Sequence, residues 1–100
     1  MKTDRELLEL AAKASGELTA SWYGNDAYFD GVLSRWNPLN DDGDALRLAV
    51  KLNLSVKNTD FRASVLSEIG AVSEANQADP YAATRRAITR AAAAIGEGVK

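Results

Sequence analysis

Apolar residues recur at helical spacing in three stretches of the chain. The first stretch begins at Thr3, and Glu6 three residues later completes the pattern of a capping box. Apolar residues then recur every three or four positions as far as Leu18, and Gly16 is the expected helix stop. The pattern predicts a helix near residues 4–15.

The second helical stretch follows a turn at Pro38. Proline lacks a backbone donor and keeps the residue before it extended, and Asn40, Asp41 and Asp42 can each cap a helix start. Polar residues then recur at helical spacing, while the remaining positions are almost all apolar. We therefore expect a short, mostly buried helix near residues 42–52.

The third helical stretch starts at Asp79, an N-cap residue followed by Pro80 at the first helical position. The helix is predicted near residues 80–96, with Gly96 and Gly98 as its end, and its small alanines allow close approach to a neighbouring helix. One apolar stripe is expected on it, formed by Tyr81, Ile88, Ala91, Ala92 and Ile95.

The segment between the first two helices, residues 19–36, is rich in aromatic residues. They lie on both sides of a Gly-Asn-Asp sequence at residues 24–26, which is typical of a β-hairpin. Such aromatic residues could form a recognition surface, because Trp and Tyr offer a large contact area at a small entropy cost. Alternatively, they cover one face of the sheet.

A second hairpin is predicted between the last two helices. Apolar and polar residues alternate over residues 52–65 on both sides of the turn sequence at residues 58–60. Ile69 and Val72 could form a further short strand, and residues 73–78 are predicted as a loop.

These elements define an α+β fold in the order α-β-α-β-α. We expect three helices packed with a small antiparallel sheet built from residues 19–36 and 52–72. The length of 100 residues and the 46% hydrophobic fraction indicate a single domain, residues 1–100, with one core.

Charge is distributed unevenly along the chain, although the net charge is only −2. Residues 1–44 contain nine acidic and four basic residues, whereas residues 45–100 contain five acidic and eight basic ones. Such a division is compatible with an acidic face that meets a basic partner. It is also compatible with helices that each have a solvated outer face, which is the usual arrangement of charged runs.

Composition makes several classes of function improbable. The chain has neither cysteine nor histidine, so it lacks thiolate ligands and the commonest general base and metal ligand. The acidic sequence at residues 40–44 does not match a calcium loop, because the required glycine and glutamate positions hold Ala45 and Lys51. We therefore expect no enzyme, no catalytic residue, no metal and no cofactor.

Binding to nucleic acid and insertion into a membrane are also not expected. Arg85, Arg86 and Arg90 could contact phosphate groups, but a chain of net charge −2 has no basic domain, and we expect no direct nucleic-acid binding. No stretch is apolar enough to span a membrane, and the N-terminus lacks a signal-peptide pattern, so a cytoplasmic location is predicted.

Two sequence blocks carry a family resemblance: WNPLNDDGDALRLAVKL at residues 36–52 and DPYAATRRAITRAAAAIG at residues 79–96. They resemble a family of small bacteriophage and prophage proteins in which both blocks recur. Small acidic phage proteins of this kind include anti-CRISPR proteins, and the chain is similar to inhibitors of the type I-F CRISPR surveillance complex. The resemblance implies a viral protein that binds this RNA-guided complex stoichiometrically in the host cell and blocks recognition of target DNA.

One set of residues combines turn positions, aromatic side chains and negative charge, and we call it the acidic-aromatic rim. It comprises Tyr23, Asn25, Asp26, Tyr28 and Asp30, with Asp41 and Asp42 beside it. We expect this rim to bind a basic protein partner, because nucleic-acid channels are positively charged. The alternative is a phage accessory or structural protein that acts through protein–protein contacts or homo-oligomerisation.

Overall fold

Three α-helices and six β-strands make up the fold in the computed structural model, which describes residues 2–16, 20–23, 26–29 and 35–98, with the backbone alone for residues 20–23, 26–29 and 35. The helices are α1 (Asp4–Ala14), α2 (Asp42–Lys51) and α3 (Pro80–Glu97). The strands are β1 (Ala20–Tyr23), β2 (Asp26–Phe29), β3 (Arg35–Trp36), β4 (Ser55–Asn58), β5 (Arg62–Ser67) and β6 (Gly70–Ala75). The predicted α+β class and the α-β-α-β-α order are confirmed.

Each helix starts at a capping residue that the sequence predicts. The Thr3 hydroxyl accepts the backbone N–H of Glu6 at 3.2 Å, and the Glu6 carboxylate accepts the backbone N–H of Thr3 at 3.1 Å. Asp41 caps α2, and Asp79 caps α3. All three caps satisfy N–H groups that the first helical turn leaves without a partner.

The capping box makes the Glu6 carboxyl more acidic. The backbone N–H of Thr3 stabilises the ionised form and lowers the pKa of Glu6, and the Thr3 hydroxyl contributes in the same direction. A depressed pKa means that the contribution of Glu6 to stability is present above its ordinary pKa and is lost as the pH falls through the lowered value. NMR titration of Glu6 should therefore give a midpoint below the ordinary value. Thr3→Val should return the midpoint toward that value, and a normal midpoint in the unmodified protein would contradict the capping-box geometry.

Loss of the α3 cap has a predictable cost. The Asp79 Oδ1 atom accepts the backbone N–H groups of Tyr81 at 3.0 Å and Ala82 at 3.1 Å. Asp79→Ala should lower the free energy of unfolding by about 1 kcal/mol, measured from urea denaturation midpoints. Asp60→Ala removes the same charge from an exposed turn and serves as the control. Equal effects of the two substitutions would mean that charge, rather than capping, determines the loss.

The described strands form two three-stranded antiparallel sheets, with orders β1-β2-β3 and β4-β5-β6, so the prediction of a single sheet is wrong. Short connections place consecutive strands side by side, and each sheet is completed by its own neighbours. β4 starts later than predicted, because Leu52 caps α2 and Asn53 has a φ of 55°. Both residues thus belong to the turn that ends the helix.

The predicted loop at residues 73–78 is also wrong over its first three residues, which belong to β6. This strand pairs with β5 along its whole length, from Ser67 opposite Gly70 to Arg62 opposite Ala75. The hydroxyl groups of Ser64 and Ser73 lie 3.0 Å apart across this pair. Cross-strand pairing with β5 keeps this polar segment extended, although its local strand propensity is low.

Helix α3 is the centre of the fold, since α1, α2 and the β4-β5-β6 sheet all pack against it. The core cluster contains mostly alanine, with a few larger side chains at its centre: Leu48, Val65 and Ile88. Trp36, Leu52, Leu54 and Val72 are half-buried around this cluster. Small side chains on α3 allow its neighbours to approach closely, as the alanine run predicts.

Three predictions about burial and helix ends are wrong. α2 is buried on one face only, because Leu46 and Val50 point to solvent. Tyr81 is exposed rather than part of the buried stripe of α3. Gly96 lies inside α3 rather than ending it, and a Cβ atom there would come within 2.0 Å of the Leu10 carbonyl oxygen of α1. Gly98 is the C-cap, as predicted.

Candidate protein-binding site

The turn before α2 is built around a buried carboxylate. Asp44 is 7% exposed, and its Oδ2 atom accepts the backbone N–H of Asn37 at 2.9 Å. Its Oδ1 atom accepts a hydrogen bond from the Arg47 guanidinium at 2.7 Å. The carboxylate thus has partners on both oxygens, as a buried charge requires. Asp44 therefore fixes the start of the β3–α2 turn to the first turn of α2.

Two further side chains shape this turn. The Asn37 Oδ1 atom accepts the backbone N–H of Leu39 at 3.0 Å, which forms an Asx-type turn across Pro38. Asp41 accepts the backbone N–H of Asp44 at 2.8 Å and caps the helix. The sequence WNPLNDDGD therefore encodes a fixed entry into α2, and this accounts for most of its polar residues.

Arg85 connects the start of α2 to α3. Its Nε atom donates to the Leu39 carbonyl oxygen at 2.9 Å, and its Nη1 atom donates to Asp42 Oδ1 at 2.6 Å. The Arg85 side chain is 18% exposed, whereas the Asp42 side chain is 68% exposed, so solvent reaches this pair from the Asp42 side. Asp42 and Arg85 together form one end of a groove.

The groove has a volume of about 560 Å³ and lies between α2 and β4, above the first turns of α3. α2 contributes Ala45 and Leu46, and β4 contributes Val56 and Asn58. The residues from α3 are Pro80, Tyr81, Thr84 and Ile88, in addition to the Asp42–Arg85 pair at the rim. The lining is thus mainly apolar with a few polar groups at its edge, which is the usual composition of a binding site.

Large apolar side chains around the groove are open to solvent. Leu46 is 64% exposed and Tyr81 is 69% exposed, and Val56 of β4 is also exposed. Val50 continues the exposed apolar row of α2 one turn beyond Leu46. Contiguous exposed apolar surface next to a groove is a mark of an interaction site.

A second groove of similar size has a different character. It is lined by charged side chains that pair with one another or with neighbours, including Arg86 with Asp4 at 3.0 Å and Arg90 with Glu74. Lys2 pairs with Glu97 at the same surface. Its charged groups are thus already matched, and the apolar groove is the stronger candidate.

These ion pairs also explain the uneven distribution of charge in the sequence. Acidic residues of the first half, Asp4 and Asp42, pair with arginines of α3 in the second half. The excess of acid in residues 1–44 is therefore partly neutralised within the fold.

The structure places the described residues of the acidic-aromatic rim at two points of the chain. Asp41 and Asp42 start α2, where one caps the helix and the other pairs with Arg85 at the groove. Tyr23 and Asp26 are cross-strand neighbours in β1 and β2, and Tyr28 lies opposite Ser21. The side chains of Tyr23, Asp26 and Tyr28, and the whole of Asn25 and Asp30, lie outside the described residues.

Leu46, Val56 and Tyr81 were not predicted as site residues from the sequence, because their apolar character is typical of core positions. One signal could have identified Leu46: α2 has more large apolar residues than one helical face can bury. Leu46 and Val50, four positions apart, are the pair left on the outer face.

Neither a metal site nor a membrane-spanning helix is found in residues 2–16, 20–23, 26–29 and 35–98. Within these ranges, no group of three or more acidic side chains is placed to hold a metal ion. Over the same part of the chain, no helix is long and apolar enough to cross a membrane. No protein-family model, curated protein or solved structure matches the chain.

Proposed function

We propose that this protein acts by binding another protein through the apolar groove between α2, β4 and α3. The observation that carries the proposal is the exposure of Leu46 and Tyr81, two large apolar side chains that line that groove. Large apolar side chains that remain in water favour association, because burying them against a partner removes apolar surface from solvent. Aromatic residues such as Tyr81 frequently supply a large share of the binding energy.

The specific form of the proposal is a phage-encoded anti-CRISPR inhibitor of the type I-F surveillance complex. Its support is the resemblance of residues 36–52 and 79–96 to phage proteins, since these blocks contain Leu46 and Tyr81. Stoichiometric binding would block recognition of target DNA without any chemical step. Asp26 and Asp30 add negative charge that suits the basic channels of an RNA-guided complex.

The test uses purified type I-F surveillance complex and a target DNA duplex. The protein should bind the complex at a fixed stoichiometry and reduce target-DNA binding in proportion to the occupied fraction. Calorimetry measures the first quantity and a gel-shift assay measures the second. No detectable binding would remove the anti-CRISPR function.

Two substitutions separate the groove from other exposed apolar surface. Leu46→Asp places a charge at the groove and should weaken binding to the surveillance complex at least about tenfold. Leu66→Asp is the matched control, because Leu66 is also exposed but lies on the opposite face of the β4-β5-β6 sheet. The control should change affinity less than about twofold. Equal affinities of the two variants would exclude the groove as the contact surface.

The acidic-aromatic rim has its own test. Asp26→Lys combined with Asp30→Lys should slow association with a basic partner, and more strongly at low salt, because charge steers the encounter. Association rates at several salt concentrations measure this effect. A folded variant with unchanged rates and unchanged inhibition would remove the rim from the mechanism.

The second candidate function is that of a phage accessory or structural protein that forms homo-oligomers. Its support is the exposed apolar side chains outside the groove, notably Phe61, Leu66 and Ile69. Sedimentation at micromolar concentrations distinguishes the two functions. A mass above that of one chain, together with no binding to the surveillance complex, would favour the oligomer.

A further inference from the structure

Among the described strands, β4 pairs with β5 alone, which leaves its other edge open. The backbone N–H of Thr59 donates to the Arg62 carbonyl oxygen at 3.0 Å, which closes the β4–β5 hairpin. Hydrogen-bonded pairs alternate along an antiparallel ladder, so Lys57 opposite Ser64 is the next bonded pair. The backbone groups of Val56 and Asn58, between these pairs, therefore point away from β5.

The open backbone groups face the apolar groove. β4 is the edge strand of its sheet, and Val56 and Asn58 themselves line the groove. A chain placed beside β4 at the usual strand spacing of about 4.8 Å would lie between β4 and α2, above α3. The groove and the strand edge thus form one continuous surface.

We infer that β4 accepts an extended segment of a partner protein as an additional strand, with an acidic residue of that segment beside Lys57. This inference rests on the proposed function and specifies how the groove is occupied. The segment would hydrogen-bond to the backbone of Val56 and Asn58. Its alternate side chains would enter the groove and contact Leu46 and Tyr81.

An added strand fits this surface better than a helix does. A helix satisfies its own backbone groups and would use only the apolar lining of the groove. An extended segment uses that lining and also pairs the N–H and C=O groups of Val56 and Asn58, in the manner of strand addition to other open sheet edges. Side chains of a strand alternate between faces, so every second one would point at Ala45 and Ile88.

The charge of Lys57 indicates which residue type the partner segment carries beside it. Lys57 is exposed and lies on the outer face of the sheet, since its neighbour Val56 is opposite the buried Val65. Within the described residues its ammonium group has no acidic partner at salt-bridge distance. An acidic residue on the added strand would supply one, and opposite charges directly across a strand pair are stabilising.

The same lysine disfavours a second copy of this chain as the occupant. In the symmetric antiparallel register, Val56 of one copy pairs with Asn58 of the other, and the two Lys57 side chains face each other. Like charges in this position are destabilising, and lysine on an edge strand is a common device against self-pairing. The segment is therefore expected to come from a different protein.

A short peptide tests the inference without the surveillance complex. The probe is acetyl-Ser-Val-Glu-Val-Ser-amide, and its counterpart carries Lys in place of Glu. NMR amide exchange of the labelled protein is measured with each peptide at millimolar concentration. The Glu peptide should slow exchange at Val56 and Asn58 at least about fivefold, whereas Lys57, already bonded to β5, should change little. The Lys peptide should bind several-fold more weakly.

Substitution of Val56 by proline distinguishes the contribution of backbone pairing to peptide binding from that of apolar contact. Val56→Pro removes an N–H that points away from β5, and proline is tolerated on an edge strand in this orientation. It should weaken peptide binding at least about tenfold, whereas Val56→Ala, which keeps the N–H, should weaken it less than about threefold. Unchanged amide shifts in α3 would show that both variants are folded.

The outcomes separate the two proposals. Absence of peptide binding, or shifts at Leu46 and Tyr81 with unchanged exchange at Val56 and Asn58, would overturn strand addition. The amides of Val56 and Asn58 could also exchange slowly in the protein alone, and more slowly at higher protein concentration. That result would make a second copy of the chain the occupant, and it would also overturn strand addition by a different protein. Failure of the unmodified protein to bind the surveillance complex would overturn the proposed anti-CRISPR function, and the peptide result would still decide strand addition.

Discussion

Gly96→Ala is expected to lower the free energy of unfolding by at least about 2 kcal/mol. The added Cβ atom would lie 2.0 Å from the Leu10 carbonyl oxygen and 2.8 Å from its carbonyl carbon, both in the backbone of α1. A backbone cannot move aside as a flexible side chain can, so α1 and α3 must separate. Helix propensity alone would stabilise the alanine variant by about 1 kcal/mol, and overpacking must exceed this gain.

Gly98→Ala is the matched control for this prediction. A Cβ atom at Gly98 would meet its nearest neighbour, the Ile95 carbonyl oxygen, at 3.5 Å, which is an ordinary contact. Its effect should remain within about 0.5 kcal/mol. Denaturation midpoints in urea compare the two variants. Similar midpoints for the two variants would show that α1 and α3 lie farther apart at Gly96 than they do in the structure.

Local signals in the sequence were sufficient to predict the helices. Thr3 with Glu6, the aspartates before α2, and Asp79 before a proline all act on the first turn that follows them. Such signals need no knowledge of distant residues, and the predicted helices agree with the structure to within one residue at every terminus.

The functions of glycine and of exposed apolar residues were not predictable in the same way. Gly96 resembles a helix stop in the sequence, because glycine is common there. In the fold it permits contact with Leu10, a residue 86 positions earlier in the chain. Leu46 and Leu48 are the same amino acid in one short helix, and only the position of α3 determines which one is buried.

The pairing of the strands was not predictable from local sequence signals either. Alternation predicted strands in the correct regions, but it does not specify which strands pair. β6 contains Ser73 and Glu74, which have low strand propensity, and it is held by its register with β5. The groove could not be predicted either, because it exists only where α2, β4 and α3 meet.

Leu48→Ala is the second large effect we expect, a loss of about 3 kcal/mol in the free energy of unfolding. Leu48 is 3% exposed and belongs to the core cluster with Ala45, Ala49 and Ile88. Its neighbours are mostly small side chains, which cannot extend into the space that the truncation leaves. The loss of buried apolar surface and the remaining cavity therefore both contribute, and such substitutions usually cost about 2–5 kcal/mol.

Leu46→Ala makes the same chemical change two residues earlier and isolates the contribution of burial. Leu46 is 64% exposed, so its truncation should change stability by less than about 0.5 kcal/mol. Urea midpoints at equal m-values give both numbers. Equal losses would mean that α2 is rotated relative to α3, and Leu46 would then not line the groove. A large difference between them would show that the leucine facing the groove is not needed for folding, so that it remains available to a partner.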